Sequence, residues 1–325
     1  MTILVTGGAG YIGSHACKAL AAAGHTPIAY DDLSTGHRFA VRFGPFEHGS
    51  ILDTTRLADV MRRHGCHTVI HFAALSTVGE SATRPDLYWR VNVAGTLALL
   101  DAMRLAGVNR LVFSSTCAVY GIPAQMPITE ATPCAPLNVY GETKYAMERM
   151  LEAHANAYGL AAVALRYFNA AGADPDGMIG EEHDPETHAI PLILQAAAGQ
   201  RARFTVFGED YDTRDGSCVR DYVHVTDLAD AHVRALSALR EGTMEAINLG
   251  SGDGFTVREV VGVARQITGR EIPVESGPRR VGDPPILTAN ASKAETVLGW
   301  TPQHSGLDEI IGTAWRWMSE LSPRR

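Results

Sequence analysis

The sequence predicts an α/β protein in which a doubly wound parallel sheet is followed by a smaller C-terminal α/β lobe. Short apolar runs alternate with amphipathic stretches through the first half of the 325 residues, a pattern typical of βαβ units with helices on both faces of a sheet. A glycine-rich turn joins the first apolar run to the first amphipathic stretch. From about Asn169 the alternation gives way to a stretch rich in Gly, Pro and Asp, which indicates a change of architecture.

The strands and helices of the first half follow from this alternation. The strands are predicted at the apolar runs "TILVT", "TPIAY", "HTVIHFA", "RLVFSS" and "LAAVALRYF". Helices are predicted between them at the amphipathic segments near 11–23, 55–64, 84–106 and 140–158. Strands that alternate with helices of this length form a parallel sheet.

The second half has a less regular pattern. It predicts a helix after Pro191, a strand at "FTVFG", a helix at "VTDLADAHVRAL" and a helix near 256–268. The Gly- and Pro-rich "ESGPRRVGDPP" is predicted to be a loop. We therefore expect residues 1–168 to form a dinucleotide-binding domain and residues 169–325 to form mainly the smaller lobe, with some later segments returning to the sheet.

Composition and charge exclude several classes of function. The chain is 46% apolar and 20% charged, with a formal net charge of -8 and no basic run, which argues against nucleic acid and membrane surfaces as partners. No apolar run approaches the length of a transmembrane helix, and the N-terminus predicts a strand rather than a signal peptide. Five scattered cysteines without a C-x-x-C pair predict no disulfide framework, no zinc site and a reducing, cytoplasmic location.

The glycine-rich turn "ILVTGGAGYIGSHACKAL" contains Gly7-x-x-Gly10-x-x-Gly13 directly after a strand and at the start of a helix. Glycine allows the tight turn and the close approach of a pyrophosphate, which the free N–H groups of the helix start stabilise. Asp31 closes the second strand, where a carboxylate can bind the adenosine ribose hydroxyls and repel a 2′-phosphate. The turn therefore predicts a Rossmann-like fold that binds NAD rather than NADP.

Tyr140 and Lys144 lie one helical turn apart in "NVYGETKYAMERM", after the strand-end motif "VFSSTCAVYG" with Thr116. Ligands of a doubly wound sheet lie at the carboxyl ends of its strands, so we expect these side chains to meet there. A phenol with a pKa of about 10 needs roughly 4 kcal/mol of differential stabilisation to act as a base near pH 7. The lysine ammonium and a positive nicotinamide ring would supply it, and the hydroxyl of Thr116 would relay the proton.

The motifs together resemble the extended short-chain dehydrogenase/reductase family, and within it the enzymes that epimerise nucleotide sugars. The resemblance covers nearly the whole chain and includes "VTGGAGYIGSHACKAL", "VIHFAALSTVGES", "YGETKYAMERML", "LRYFNAAGA", "VRDYVHVTDLADAH" and "INLGSGDGFTVREV". It implies redox-neutral C4 epimerisation of a UDP-sugar (UDP-glucose or UDP-galactose) through a transient 4-keto intermediate, with NAD kept bound. It also implies a homodimer built on the helices near 84–106 and 140–158.

The same resemblance assigns residues to roles. Tyr140, Lys144 and Thr116 are implied to be catalytic. The residues implied to surround NAD are Gly7, Gly10, Tyr11, Ile12, Gly13, Asp31, Ser50, Ile51, Phe72, Ala73, Asn92, Ser114, Tyr140, Lys144 and Tyr167. The residues implied to surround the UDP-sugar are Thr116, Asn169, His188, Phe207, Arg220, Arg280 and Asp283. Two arginines can neutralise a diphosphate, an aromatic ring can lie against uracil, and a carboxylate can accept from ribose hydroxyls.

Four positions depart from the family pattern. Ser50 stands where an Asp near the adenine is usual, and Ser76 stands where some members have a Lys near the cofactor. His188 takes a position often held by Asn beside the sugar, and Leu287 stands where a Tyr narrows the sugar pocket in some members. We expect Leu287 to admit N-acetylated sugars or to shift the sugar preference.

Several alternative functions stay open at this point. A UDP-xylose/UDP-arabinose or UDP-N-acetylhexosamine 4-epimerase would use the same residues. A 4,6-dehydratase would need acidic side chains directly after the Ser/Thr, where this chain has Cys117 and Ala118. A simple dehydrogenase would release NADH. A non-enzymatic NAD-sensing scaffold is disfavoured by the intact Thr116, Tyr140 and Lys144.

Overall fold

A seven-stranded parallel sheet forms the centre of the molecule. The computed structural model describes residues 1–280 and 283–321. The strand order is β11-β6-β5-β4-β1-β2-β3, and all six neighbouring pairs are parallel. The strands are β1 (Thr2–Thr6), β2 (Thr26–Asp31), β3 (Phe46–His48), β4 (Thr68–His71), β5 (Arg110–Thr116), β6 (Ala161–Tyr167) and β11 (Met244–Leu249).

Helices cover both faces of this sheet. Those of the first half are α1 (Tyr11–Ala22), α2 (Thr54–Arg63), α3 (Val78–Thr83), α4 (Pro85–Tyr88), α5 (Gly95–Ala106) and α6 (Val139–Tyr158). A single π-helical segment, Trp89–Ala94, joins α4 to α5. The predicted helix near 84–106 is therefore three consecutive helical segments, and π turns of this kind are frequent at functional sites.

Alternation along β1 explains why the sheet is covered on both sides. Ile3 and Val5 belong to one buried cluster, with residues of α1 and of the later helix α8 (Val225–Ala238). Leu4 belongs to a second buried cluster on the opposite face, with residues of α2, α5 and α6. Successive side chains of a strand point to opposite faces, so a strand buried on both faces is a continuous apolar run rather than an alternating one.

The smaller lobe contains three short sheets and three of the later helices among the described residues. The sheets pair β7 (Asn169–Ala171) with β10 (Tyr222–His224), β8 (Phe204–Phe207) with β13 (Val274–Gly277), and β9 (Val219–Arg220) with β12 (Phe255–Thr256) and β14 (Ile286–Leu287). The helices of the second half are α7 (Ala189–Ala197), α8 (Val225–Ala238), α9 (Val257–Thr268), α10 (Ser292–Leu298) and α11 (Leu307–Leu321). α7, α9 and α11 contribute to a third buried cluster, whereas α8 packs on the central sheet.

Two sequence expectations for the second half need comment. The stretch "ESGPRRVGDPP" was expected to be a loop, but Glu275, Ser276 and Gly277 lie in β13 and pair in parallel with β8. Pairing with a partner distant in sequence overrides the weak strand tendency of these residues. Residues 281–282 of that stretch lie outside the described residues. β11 comes from the second half and joins the central sheet beside β6, while the division at residue 168 stays a prediction.

The described ranges 1–280 and 283–321 contain no helix with the length and apolar character needed to cross a bilayer.

Candidate active site

The turn between β1 and α1 is closed by contacts that only glycine permits. Gly7 has a φ of 72°, and a Cβ added to it would lie 2.7 Å from the backbone nitrogen of Ala73. A Cβ on Gly13 would lie 2.1 Å from the carbonyl oxygen of Gly7. The first and last glycines of the motif therefore let the turn, the strand end of β4 and the helix start pack without side chains between them.

The start of α1 offers unpaired backbone donors to a cavity at the strand ends. Gly10 is the N-cap of α1 and no side chain caps the helix. The residues Gly7, Gly10, Tyr11, Ile12 and Gly13 line a cavity of about 410 Å³. Free N–H groups and the positive end of the helix dipole favour an anionic group at such a position.

Asp31 lies at the end of β2, on the edge of the same cavity. Its Oδ2 accepts from the backbone N–H of Ala9 at 3.0 Å and its Oδ1 accepts from that of Leu33 at 2.8 Å. Burial raises the pKa of the carboxyl, and these two N–H donors oppose the shift. The carboxylate is therefore fixed in direction, with its remaining lone pairs available to donors such as ribose hydroxyls.

Helix α6 presents Tyr140 and Lys144 to the cavity, beside Thr116 at the end of β5. Asn138 caps the helix, because its Oδ1 accepts from the N–H of Gly141 at 2.8 Å. The Nζ of Lys144 donates to the carbonyl oxygen of Ser114 at 2.9 Å and lies 6.0 Å from the centre of the Tyr140 ring. Thr116 lies near enough to the Tyr140 hydroxyl to oppose the rise in its pKa.

The protein's own groups do not lower the pKa of the phenol. Burial raises the pKa of Tyr140 well above its usual value, and the hydrogen bond from Thr116 only opposes this. Burial lowers the pKa of Lys144 to about 7, although the charge of Glu148 opposes the shift. Desolvation disfavours both the phenolate of Tyr140 and the ammonium of Lys144. Ionising the phenol near pH 7 therefore needs a further positive charge nearby, such as that of a bound cofactor.

A buried polar network connects α6 to the central sheet. Arg166 on β6 pairs with Glu148 through two bonds, from Nε at 2.9 Å and from a terminal nitrogen at 2.5 Å. Ser115 donates to Glu148 Oε1 at 2.6 Å, and Arg166 donates to the Tyr120 hydroxyl at 2.8 Å. The network ties α6 to β5 and β6, the two strands whose ends carry Thr116 and Tyr167 in register.

A second group of charged and aromatic residues lies in the smaller lobe. The guanidinium of Arg280 stacks on the Phe207 ring at 4.1 Å from its centroid. Arg220 is paired with Asp283. Burial raises the pKa of the Cys117 thiol on the wall of the cavity, and the nearby charge of Arg220 opposes this shift. Asn169 lines the cavity and donates from its Nδ2 to the carbonyl oxygen of Asp221 at 2.8 Å. The arrangement collects two cations, one carboxylate and one aromatic face in the smaller lobe.

Comparison with known proteins agrees with this geometry. The model of the NAD dependent epimerase/dehydratase family matches residues 3–250. The chain belongs to this family. It is 53% identical over 317 residues to a UDP-glucose 4-epimerase of Rhizobium leguminosarum bv. trifolii, with 97% of both chains covered.

Solved structures of related proteins carry the same fold. A UDP-glucose 4-epimerase from Brucella ovis in complex with NAD is 51% identical, with a TM-score of 0.94 over 97% of each chain. A UDP-glucose 4-epimerase from Stenotrophomonas maltophila with bound NAD and formylated UDP-arabinopyranose is 40% identical, with a TM-score of 0.97 over 100% of each chain. The doubly wound α/β fold and the NAD-dependent family predicted from the sequence are thereby confirmed.

Most residues predicted for the cofactor of this epimerase/dehydratase family meet in one place. Beyond the glycine turn, Asp31, Tyr140 and Lys144, the cavity is lined by Ile51, Phe72, Ala73, Ser114, Thr116 and Tyr167. Ser114 and Tyr167 share a hydrogen bond of 2.5 Å between their hydroxyl oxygens. These residues fit NAD as cofactor, since they combine a phosphate-binding turn, a ribose carboxylate and apolar walls at one strand edge.

Two predicted cofactor residues do not line the cavity, and their part in binding stays a prediction. Asn92 lies in the π segment, fully buried, where it accepts from the N–H of Leu75 at 2.8 Å and donates to Leu75 and Thr143. The Oγ of Ser50 accepts from the N–H of Leu52 at 3.3 Å. Asn92 therefore fixes the cavity-lining loop at Leu75 rather than presenting a free polar group.

The predicted substrate residues fall into two places. Thr116, Asn169 and His188 line the cavity, whereas Phe207, Arg220, Arg280 and Asp283 do not. The ion pair of Arg220 with Asp283 and the stacking of Arg280 on Phe207 join segments that are distant in sequence. Binding of the substrate by these four residues stays a prediction.

The sequence reading missed one cluster in the segment between β7 and α7. Glu181, His183, Glu186 and His188 place their ligand-type atoms within 4.8 Å of one another. Burial lowers the pKa of both histidines, but the two carboxylates more than reverse this and raise it to about 9 for His183 and about 10 for His188. The signal lay in "EEHDPETH", which a search limited to cysteine patterns does not detect.

Proposed function

We propose that the protein is an NAD-dependent 4-epimerase of UDP-sugars, with UDP-glucose and UDP-galactose as the main pair. One observation carries the proposal: Tyr140, Lys144 and Thr116 meet at the same strand edge as the glycine turn. Relatives at 49–53% identity named UDP-glucose 4-epimerase support it, as do structures of such enzymes with NAD.

Side chains of α6 and β5 transfer the proton of the sugar 4-hydroxyl. The Tyr140 phenolate would take the proton of the sugar 4-hydroxyl and later return it, while the Thr116 hydroxyl holds the sugar oxygen in reach. NAD, when bound, supplies a reversible hydride acceptor and a positive ring near the phenol. Lys144, held by the Ser114 carbonyl, orients its ammonium towards the same phenol and adds to that charge.

Inversion at C4 requires a firm hold on UDP and a loose hold on the sugar. We infer that Arg220 and Arg280 bind the diphosphate, that Phe207 contacts uracil and that Asp283 accepts from the ribose hydroxyls. The pairing of Arg220 with Asp283 and the stacking of Arg280 on Phe207 keep these groups ordered. A planar 4-keto sugar could then rotate and receive hydride on its opposite face while UDP stays anchored.

The test is product analysis with four candidate substrates. The holoenzyme is incubated with UDP-galactose, UDP-glucose, UDP-xylose and UDP-N-acetylglucosamine, and the C4 epimers are resolved by chromatography. We expect interconversion of the hexose pair without net NADH release. Binding of NAD and UDP-sugar without any product would favour the NAD-sensing scaffold, whereas stoichiometric NADH release would favour a dehydrogenase.

The sugar range depends on a strand of the smaller lobe. Leu287 is half-buried in β14, opposite Arg220 in the register with β9. An aliphatic side chain there leaves different space from the Tyr of some family members, so we propose that UDP-N-acetylglucosamine is also turned over. Absence of its C4 epimer in the same assay would rule this out.

We also propose a homodimer in which α5 and α6 meet their copies. Large apolar side chains remain exposed on and beside these helices: Trp89, Leu97, Leu105 and Tyr158. Exposed apolar patches on paired helices are typical of protein interfaces. A cytoplasmic location stays a prediction.

A further inference from the structure

Four potential metal ligands converge in the segment between β7 and α7. Glu181 and His183 line both the catalytic cavity and a neighbouring cavity of about 210 Å³, and His188 is the N-cap of α7. All four ligand atoms of this cluster, which includes Glu186, lie within 4.8 Å of one another. The cluster therefore forms part of the wall shared by the two cavities.

The distances within the cluster match those between the ligands of one small ion. His188 Nδ1 lies 2.9 Å from Glu181 Oε1 and 3.1 Å from Glu186 Oε1. His183 Nδ1 lies 3.2 Å from Glu181 Oε1 and 3.7 Å from Glu186 Oε2. A tetrahedral ion with bonds of about 2.0–2.2 Å needs neighbouring ligand atoms about 3.3–3.6 Å apart, and the four distances bracket that range.

A cation at the centre of the cluster would also balance its charge. The carboxylates of Glu181 and Glu186 are only 8% and 6% exposed, and both contact the same two imidazoles. Two such carboxylates need two positive charges nearby. One divalent cation held by neutral imidazoles supplies the same charge as two protons. In addition, His183 Nδ1 is buried without a hydrogen-bond partner among the described residues.

Surrounding contacts hold the ligands in place. Glu186 Oε1 accepts from the backbone N–H groups of Thr187 at 2.7 Å and His188 at 2.8 Å. Trp317 of α11 donates from Nε1 to the carbonyl oxygen of Glu181 at 3.1 Å. Tyr11 of α1 packs its ring edge-on against His183. Such outer contacts orient metal ligands and lower the cost of assembling a site.

Other charged and titratable groups border the cluster without joining it. Glu182 lines the neighbouring cavity and His37 approaches its carbonyl oxygen at 3.0 Å. Tyr11 donates its hydroxyl to the carbonyl oxygen of Gly172 at 2.6 Å. Burial, with the nearby charges of Glu181 and Glu186, raises the pKa of this phenol, so it borders the cluster as a neutral group.

We propose that Glu181, His183, Glu186 and His188 form a binding site for a divalent cation of the zinc class. Two imidazole nitrogens and two carboxylate oxygens suit a borderline ion such as Zn²⁺ better than Mg²⁺ or Ca²⁺, which prefer all-oxygen shells. By binding all four side chains, the ion holds the 181–188 segment in one conformation at the wall of the catalytic cavity. No step of the proposed epimerisation uses the ion, although His188 is also predicted to lie beside the sugar, so ion binding is measured directly and separately from epimerase activity.

The test is titration of the full-length, NAD-loaded protein with ZnCl₂ by isothermal calorimetry after treatment with EDTA. We expect one ion per chain. His183→Gln and Glu186→Gln should each weaken binding by about 100-fold or more, beyond the loss of an outer contact. His304→Gln is the matched control, because His304 also pairs with a carboxylate, that of Glu309 at 2.7 Å, and neither residue belongs to the cluster.

Titration with Co²⁺ supplies an optical check on the ligands. A four-coordinate nitrogen and oxygen site gives visible bands without the near-ultraviolet band of thiolate ligation, and His183→Gln should remove them. Thermal melting of each variant confirms that it is folded. The site would be ruled out if the wild type failed to bind one Zn²⁺ per chain, if both cluster variants bound Zn²⁺ as tightly as the wild type, or if a thiolate band appeared. Each of these outcomes is independent of the result of the epimerase assay.

Discussion

At the scale of single residues, burial and charge compete at Tyr140 and Lys144, the two side chains proposed for catalysis. Tyr140 and Lys144 lie close together, yet burial raises the pKa of the phenol and lowers that of the amine to about 7. The helical spacing was enough to predict the pair. Its electrostatics could not be predicted, because they depend on Phe113, whose ring centre lies 5.0 Å from Nζ, and on the depth of the cavity.

Removing the Tyr140 hydroxyl should abolish epimerisation while leaving the fold intact. Tyr140→Phe keeps the ring but has no proton to move, so we expect kcat to fall by about 10²–10⁴-fold with UDP-galactose. Tyr158→Phe, at the exposed end of the same helix, is the matched control and should keep full activity. Unchanged turnover by Tyr140→Phe would contradict the mechanism.

The depressed pKa of Lys144 predicts a pH-dependent cost to stability. In the folded protein without NAD the amine titrates near pH 7, against 10.5 in the unfolded chain. The unfolded state therefore binds more protons between these values, and stability rises with pH across that window. The cost is fully present below pH about 7.

Lys144→Met removes this cost and should melt at a higher temperature than the wild type at pH 6. The difference should shrink as pH rises towards 10, where the wild type loses its penalty. Melting is followed by circular dichroism on protein stripped of NAD, and activity is measured in parallel and should be lost. A difference that stays constant from pH 6 to pH 10 would contradict burial of a charged amine.

At the scale of elements, the structure depends on close contacts that were only partly predictable. The β1–α1 turn was predicted from its glycines, and the structure gives the reason: Gly7 and Gly13 each face backbone atoms. The π segment carrying Asn92 was not predictable, since no local pattern separates it from α-helix. The short strand β7 also escaped prediction, because its pairing with β10 is made by residues far apart in sequence.

Gly7→Ala should cost more than another glycine with the same backbone angle. Gly7 and Gly24 have φ values of 72° and 77°, but a Cβ on Gly24 meets nothing within 4 Å. Gly24→Ala therefore carries only the backbone strain of about 1 kcal/mol. Gly7→Ala also forces Ala73 away, so we expect a larger loss of stability and of NAD retained after purification. Equal effects in urea unfolding would contradict the role of the contact.

Breaking the Glu148–Arg166 pair should destabilise α6 against the sheet. Both side chains are almost fully buried, at 3% and 7% exposure, so Glu148→Gln leaves a buried guanidinium without its charge partner at a cost of about 3–5 kcal/mol.

The control for this prediction lies on the same helix. Arg149 and Glu152 form an ion pair that is about half exposed, and Glu152→Gln should change the free energy of unfolding by less than about 1 kcal/mol. The two variants are compared by urea denaturation. A loss below 1 kcal/mol for Glu148→Gln would mean that the network adds little to the packing.

At the scale of the whole molecule, the central sheet joins segments from both halves of the chain. β11 pairs with β6, and α8 packs against α1, so the smaller lobe is anchored to the larger one on two sides. The cavity then lies at the carboxyl ends of β1, β2, β4, β5 and β6. Residues of the smaller lobe such as Asn169 and His188 complete its wall. This is the position expected for ligands in doubly wound sheets.

The proposed homodimer predicts a specific response to charge on α5. Leu97 is 45% exposed and Leu105 is 58% exposed, and a glutamate at either position would place a charge in the interface. We expect Leu97→Glu and Leu105→Glu to shift the protein from dimer to monomer in light scattering after size exclusion. Val297→Glu, an exposed apolar residue on α10, should leave the dimer unchanged. A monomeric wild type would contradict the proposal.

The sequence by itself determined the central fold and identified Tyr140, Lys144 and Thr116 as the candidates for catalysis, because both follow from short local patterns. Apolar runs of strand length, glycines at a helix start and a Tyr and Lys one turn apart each act within a few residues of the chain. Only the tertiary structure decided how Arg220 meets Asp283, how Glu148 and Arg166 support α6, and that two histidines face two buried carboxylates. Those contacts join segments that no local pattern relates, and their strength depends on burial, which a sequence does not state.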